Sequence, residues 1–361
     1  MASHVHTTAR HAMRILVAAI ALTALTAGTA GASTPALTQI AAPESNRAGS
    51  SYNTRPRTEV PGFLRDRGRF IKFDAPKAVG ETAPNSINNR GQIAGAYYDA
   101  SRGIHGFLRD KAGRFTTIDV PGAKGTGIYK INDLGQIVGR YSQTHANIQD
   151  PDSVARGFLL DRGKLTRIDV PGAAETQAVG INNFGQVVGE YQTRDGAFHG
   201  FLWHKGRFVT IDKPGATASS LIDINDRGQI LGAFAGNDGV LHNFLLDRGR
   251  YTTFDAPGVG ATWARDINNR GQIAGFTVTP DETDPLAGAR GFVLAKGVKG
   301  PYTPVDVPGA PRNLVSGLND RAQIVGVYEN TAASPSTQRD SMPMGPMSSL
   351  GQAVSQDGEA R

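Results

Sequence analysis

The chain has 361 residues, no cysteine, 45 glycines, 20 prolines and a formal charge of +6 at pH 7. The lack of cysteine excludes a disulfide framework and a cysteine-borne lipid anchor. Gly and Pro recur too often along the chain for a fold built on long helices.

Residues 1–32 read as an export signal. Arg10, His11 and Arg14 make a short positive region, Ile15 to Ala27 an apolar run, and Ala30-Gly31-Ala32 a small-x-small cleavage site before Ser33. A bilayer span needs about 20 apolar residues, so the run suits a cleaved signal better than an anchor, and no later segment reads as a membrane span. There is no twin Arg pair, which favours the general secretory route. The protein is therefore expected to be secreted or periplasmic. Loss of Arg10 and Arg14 lowers the charge to +4. Basic residues are scattered at turn positions without a run of five, which reads as a solvated surface and not as a nucleic-acid face.

Residues 33–60, rich in Ser, Thr, Ala, Pro and Asn, read as a flexible linker. Residues 61–328 are a six-fold repeat of about 44 residues. Its two phrases are GFLxDRGxFxxxDxPGA and, after a spacer, INNxGQIxGxY. The first carries a recurring Phe (63, 107, 158, 201, 244 and 292) and a recurring Asp: Asp74, Asp119, Asp169, Asp212, Asp255 and Asp306. The second carries Asn88, Asn132, Asn182, Asn225, Asn268 and Asn319, each followed four residues later by Gln. The segments are short, β-branched and aromatic, with no apolar period of 3.6 residues. Each unit thus offers four short strands. A four-stranded antiparallel sheet repeated radially is a propeller blade, so the expected fold is an all-β, six-bladed propeller.

INNRGQI reads as a hairpin turn, because Asn side chains bond nearby backbone N–H groups and Gly accepts positive φ. Ala322 replaces that Gly in the last copy and should cost local strain. VPGA (170–173) fits a type II turn; the first copy has Lys77 in place of its Gly. The phase of the repeat also predicts closure. The first GFL (62–64) has no partner before it and the last QIVGVY (323–328) has none after it, so pairing the two would close the ring. Residues 329–361 lack a β pattern and read as a disordered tail.

INNxGQIxGxY followed by HGFLxxxG resembles the HAF repeats of bacterial extracellular proteins, named for a His-Ala-Phe tripeptide. Here HGF stands at His105-Gly106-Phe107 and His199-Gly200-Phe201, so the middle residue departs from the pattern. The resemblance covers about three quarters of the chain. It implies an exported, propeller-like protein and supplies no catalytic residue.

The repeated Asn and Asp phrases invite a calcium reading. GINNFG and SINNRG hold no carboxylate, however, and a Ca²⁺ loop needs six to eight oxygens, so hydrogen-bonded turns are the plainer reading and no cofactor is expected. The recurring Asp could ring the axis; the plainer expectation is that each accepts N–H bonds at its own turn. The recurring Gln should bridge strands, and the recurring Phe should be core. His105, His199 and His242 share one repeat position, which suits a hydrogen-bonding element of the unit more than a general base. No HExxH, GxSxG or phosphate-cradling Gly motif is present.

Loop length points to a binding face. The connection between QIxGxY and GFL is long in two copies, 142–156 and 277–290. Insertions on one face of a repeat array often mark the binding face. These loops nominate His145, Asp150, Asp152, Arg156, Asp281, Glu282 and Asp284 as ligand-binding residues. The leading expectation is a non-catalytic, monomeric binding module for an unidentified carbohydrate or protein. The alternative is a glycan- or lactone-directed hydrolase or lyase working from the propeller mouth. It would need nonrepeated acids or histidines with perturbed pKa values near the axis.

Overall fold

The computed structural model describes residues 60–148, 153–238, 240–256, 260–279 and 286–329. The expected signal, the linker up to residue 59 and the tail beyond Glu329 lie outside the described residues. So do Asp150, Asp152, Asp281, Glu282 and Asp284.

The chain opens with β1 (Gly62–Asp66) and β2 (Arg69–Phe73). The first complete blade is β3 (Thr82–Ile87), β4 (Ile93–Tyr98), β5 (Ile104–Arg109) and β6 (Phe115–Ile118). The second is β7 (Gly125–Ile131), β8 (Ile137–Ser142), β9 (Arg156–Asp161) and β10 (Lys164–Ile168). The third is β11 (Glu175–Ile181), β12 (Val187–Gln192), β13 (Phe198–His204) and β14 (Arg207–Thr210). The fourth is β15 (Ala218–Ile224), β16 (Ile230–Ala235), β17 (Leu241–Asp247) and β18 (Arg250–Phe254). The fifth is β19 (Ala261–Ile267), β20 (Ile273–Val278), β21 (Arg290–Leu294) and β22 (Tyr302–Val305). The chain ends with β23 (Asn313–Leu318) and β24 (Ile324–Tyr328).

Every sheet is a four-stranded antiparallel meander, and the sixth is shared between the chain's ends in the order β2-β1-β24-β23. Its closing pairs are Gly62↔Val327, Phe63↔Gly326, Leu64↔Val325 and Arg65↔Ile324. The protein is a six-bladed β-propeller, closed by the pairing that the repeat's phase predicts. Val60, at the end of the expected linker, is buried and bridges Glu81 in parallel.

Sequence explains each connection. The outer hairpin of four blades turns through a basic residue and Gly, both at positive φ, such as Arg67 (49°) and Gly68 (79°). This is the twist that a two-residue hairpin demands. In the inner hairpin, Asn88 Oδ1 accepts the N–H groups of Arg90 and Gln92, both at 3.0 Å, and Gly91 takes φ 77°. Ala322 holds the same left-handed conformation at φ 59°. At Lys77 the turn keeps its Ala78 N–H to Ala75 carbonyl bond without a positive φ.

The Gly of QIxGxY has a packing reason. A Cβ on Gly95 would stand 2.0 Å from the Ala83 carbonyl oxygen, and one on Gly139 2.0 Å from that of Gly127. Against this tight backbone the recurring Phe rings pack; five of the six are at most 1% exposed. Every inner strand carries one bulge at the same place, between Pro84 and Ser86 in the first blade and Ala264 and Asp266 in the fifth. A bulge bends the strand and re-aims side chains, here beside the ring axis.

Candidate functional site on the ring axis

Meander topology sends the inner and outer hairpin turns to one end of the ring, the turn face. The other connections lie at the opposite end, the loop face. The axis has three polar levels between them.

At the turn face, each repeated Asn donates its side-chain amide to the carbonyl of the same Asn in the next blade. The six bonds, 2.9 to 3.2 Å long, run head to tail around the ring. The same amide also bonds its Gln, as Asn88 Nδ2 does to Gln92 Oε1 at 2.8 Å. The next residue forms a second ring of alternating amides and carboxylates: Asn89, Asp133, Asn183, Asp226, Asn269 and Asp320. Each backbone N–H donates to the following side-chain oxygen at 2.7 to 2.9 Å. Each Asn amide also bridges its two neighbouring carboxylates, as Asn89 Nδ2 does at 2.8 Å to Asp133 and Asp320. The Asp oxygens of the calcium reading are thus aimed at amide donors.

One level deeper, Lys130 Nζ reaches across the axis to Asp223 Oδ2 and Asp266 Oδ1, both at 2.7 Å. Both carboxylates also accept a backbone N–H from the next blade, Ile267 on Asp223 and Leu318 on Asp266, each at 3.0 Å. Burial works against the Lys130 ammonium, but the two carboxylates more than reverse this and hold it charged. Burial, helped by Asp223, pushes Asp266 up to about 7 against the pull of Lys130. The triad takes one residue from each of three copies; the other three copies have Ser86, Gly180 and Gly317 at this position.

Nearer the loop face lies a set of nonrepeated polar residues that the sequence reading missed. Glu81, Arg140, Glu190 and Tyr129 are buried. Glu81 and Arg265 line one cavity with Asn85, Phe276 and Leu314. Arg140 acts electrostatically on Tyr98, Tyr129 and Glu190. Burial pushes Glu81 up to about 8, Glu190 up to about 7 and Tyr129 up to about 12, and pulls Arg265 down to about 10. Tyr129 donates to Gln177 Oε1 at 3.1 Å. No hydrogen bond of ordinary geometry reaches Arg140 Nε and Nη2, Glu81 Oε1 or either Glu190 carboxylate oxygen. Ser220 and Arg140 nonetheless pull Glu190 down against its burial.

An apolar cluster draws on both long connections. Ile148, from the long connection of the second blade, packs in one cluster with Ala289 and Leu286 from that of the fifth, and with Val60, Phe276 and Leu314. The two blades face each other across the axis. The described parts of both long loops therefore fold inward. His145, half-buried, bonds Thr144 at 2.9 Å, and Arg156 Nη1 reaches the Ala174 carbonyl at 3.5 Å, so the structure does not join these two to the chamber.

The repeated His and Asp pair with each other on the outer strands. His105, His199 and His242 contact Asp119, Asp212 and Asp255 through Nδ1 at 2.8 to 2.9 Å. Asp212 Oδ1 accepts the N–H of Gly200, and Asp255 Oδ1 that of Asn243. In these two copies the Asp bonds the adjoining strand as well as standing at its own turn. Burial opposes the charge on His105 and His242, but their paired carboxylates raise both above the usual histidine value.

Among the described residues no helix is long and apolar enough to cross a membrane. No family model matches the chain, and no curated protein matches it. Solved propellers do. A TolB-like protein of Agrobacterium tumefaciens aligns with TM-score 0.50 at 10% identity over 76% of this chain and 99% of its own. A lectin of Aleuria aurantia in complex with Fucα1-6GlcNAc gives 0.44 at 12%, over 70% and 89%. TolB of Acinetobacter baumannii gives 0.45 at 11%, over 76% of this chain and 64% of its own length. The likeness is one of fold.

Proposed function

We propose that this is an exported, non-catalytic binding propeller of the HAF-repeat kind, which takes a small polar ligand, carbohydrate by class, into the axial chamber beneath the long loops. One observation carries the reading: Arg140 and Glu190 stand buried with polar atoms that no hydrogen bond of ordinary geometry reaches, while the repeated Asn and the Asn/Asp ring of the turn face bond one another. Buried polar groups ordinarily have partners, and preorganised donors and acceptors in a rigid cavity are what a polar ligand exchanges for its water. The reading needs no cofactor.

A second reading has its own support. Burial raises Glu81 to about 8 and Glu190 to about 7, the direction that suits a general acid in a hydrolase or lyase. Calorimetric titration with sugars and lactones, with Ca²⁺ or with EDTA, separates the two. Saturable heat that Glu190→Gln abolishes, with the sugar recovered intact, supports the binder. Turnover lost in Glu81→Gln or Glu190→Gln establishes the enzyme. A response that appears only with Ca²⁺ overturns the cofactor-free reading.

A further inference from the structure

The turn face gathers what the sequence scatters. Each of the six outer turns exposes two basic side chains, Arg67 and Arg69 in the shared blade for instance. The inner turns place one residue per blade just outside the Asn/Asp ring: Arg90, Leu134, Phe184, Arg227, Arg270 and Arg321, all exposed. Four adjacent blades therefore present arginine at this position, and the remaining two present Leu134 and Phe184 side by side. Leu134 is 51% exposed and Phe184 64%.

Sixteen basic side chains share the face with seven carboxylates, three of them in the amide-bonded central ring. The opposite end has the reverse balance. Outside the chamber, the described residues of the loop face hold eleven carboxylates against ten basic side chains, Lys72 and Arg167 at the strand ends included. The ring is thus polarised along its axis.

We infer that the turn face docks the propeller on a bilayer surface rich in anionic phospholipid. Three features favour that occupant. Two concentric rings of equivalent turns make a broad disc, which fits a plane. The positive charge lies on the rim while Asp133, Asp226 and Asp320 hold the centre, so a strand of nucleic acid laid across the disc would meet carboxylates midway. Exposed Phe184 and Leu134 suit the boundary between headgroups and acyl chains, where aromatic and aliphatic side chains insert beside basic ones.

The varied position tests the inference without touching the fold, because this chain already tolerates Arg, Leu and Phe there. Co-sedimentation of the full chain would use phosphatidylcholine vesicles and phosphatidylcholine–phosphatidylglycerol vesicles. The triple variant Arg227→Ser, Arg270→Ser, Arg321→Ser should lose about tenfold or more of its partition onto the anionic vesicles. Its melting temperature and its partition onto the neutral vesicles should be unchanged. The pair Phe184→Ser, Leu134→Ser should retain binding at low salt and lose it at high salt, where insertion remains and charge is screened. Equal partition of parent and triple variant onto anionic vesicles overturns the inference, as does a parent that does not bind them at low salt. Retention on duplex DNA that the triple variant loses, and that anionic vesicles fail to compete away, reassigns the face to nucleic acid.

Discussion

Asn319 donates its side-chain amide to the carbonyl of Asn88 at 2.9 Å, across 231 positions of sequence. It is the same bond that joins every other pair of neighbouring blades. Here it joins the last copy of the phrase, in the shared blade, to the first. Asn319 also accepts the N–H groups of Arg321 and Gln323 at 3.0 Å. Asn319→Ala removes the turn's acceptor and leaves a buried carbonyl without its donor. The expected loss is about 3 kcal/mol, measured by urea denaturation. Asn319→Asp keeps the acceptor but sets a carboxylate against the Asn88 carbonyl, so it should fall as far. An Asp variant as stable as the parent would show that only the turn matters.

Ala322 offers the opposite experiment. Its left-handed φ costs about 1 kcal/mol for a residue with a Cβ, and the five other copies use Gly there. Ala322→Gly should raise stability by about 0.5 kcal/mol, since the gain exceeds the added flexibility of the unfolded chain only modestly. The check is the shift in denaturation midpoint at constant m-value.

Glu81 makes stability depend on pH. Its folded value, about 8, lies above the ordinary 4.5. The folded state therefore binds this proton more tightly than the unfolded chain does. Stability is greatest below the unfolded value and falls as pH rises towards 8, by about 1.4 kcal/mol per pH unit for each such proton. Glu190, raised to about 7, adds to the slope over the lower part of that range. Glu81→Gln should flatten the profile and be the more stable protein at pH 8. A parent whose midpoint rises between pH 5 and pH 8 contradicts the burial of both carboxyls.

The Lys130 triad is the most fragile part of the axis. Lys130→Met leaves Asp223 and Asp266 buried with no cation between them, which costs about 3 to 5 kcal/mol at neutral pH. The loss should shrink in acid, where the carboxylates protonate. Adding Asp223→Asn and Asp266→Asn should recover most of it. A single variant that melts with the parent would place the triad in contact with bulk water.

The architecture was open to sequence reading because it is written six times. The INNxGQ turn, the DxPG turn and the phase of the two phrases fixed the blade, its count and the closing pair. The chamber was hidden for the same reason: repetition draws attention to what recurs, and its residues are the exceptions. Arg140 and Glu190 occupy the column that other copies fill with Ala96, Ala233, Phe276 and Val327. A charge in a column that is otherwise small or apolar, on a strand buried from both sides, was the available signal. Loop length was legible as well. Two connections are long, and described residues of both belong to one apolar cluster.

The shared blade also dictates when the molecule can become whole. Synthesis delivers β1 and β2 before the other described strands, yet their partners in the sheet, β24 and β23, are the last of these strands to emerge. Until then the nascent chain is an arc of blades with a loose hairpin at one end and a bare sheet edge wherever synthesis has reached. Pairing Leu64 with Val325 is the step that abolishes both edges at once. A message truncated anywhere before codon 324 therefore yields a chain with an adhesive margin and no means of hiding it, and quality control has a single late event to wait for.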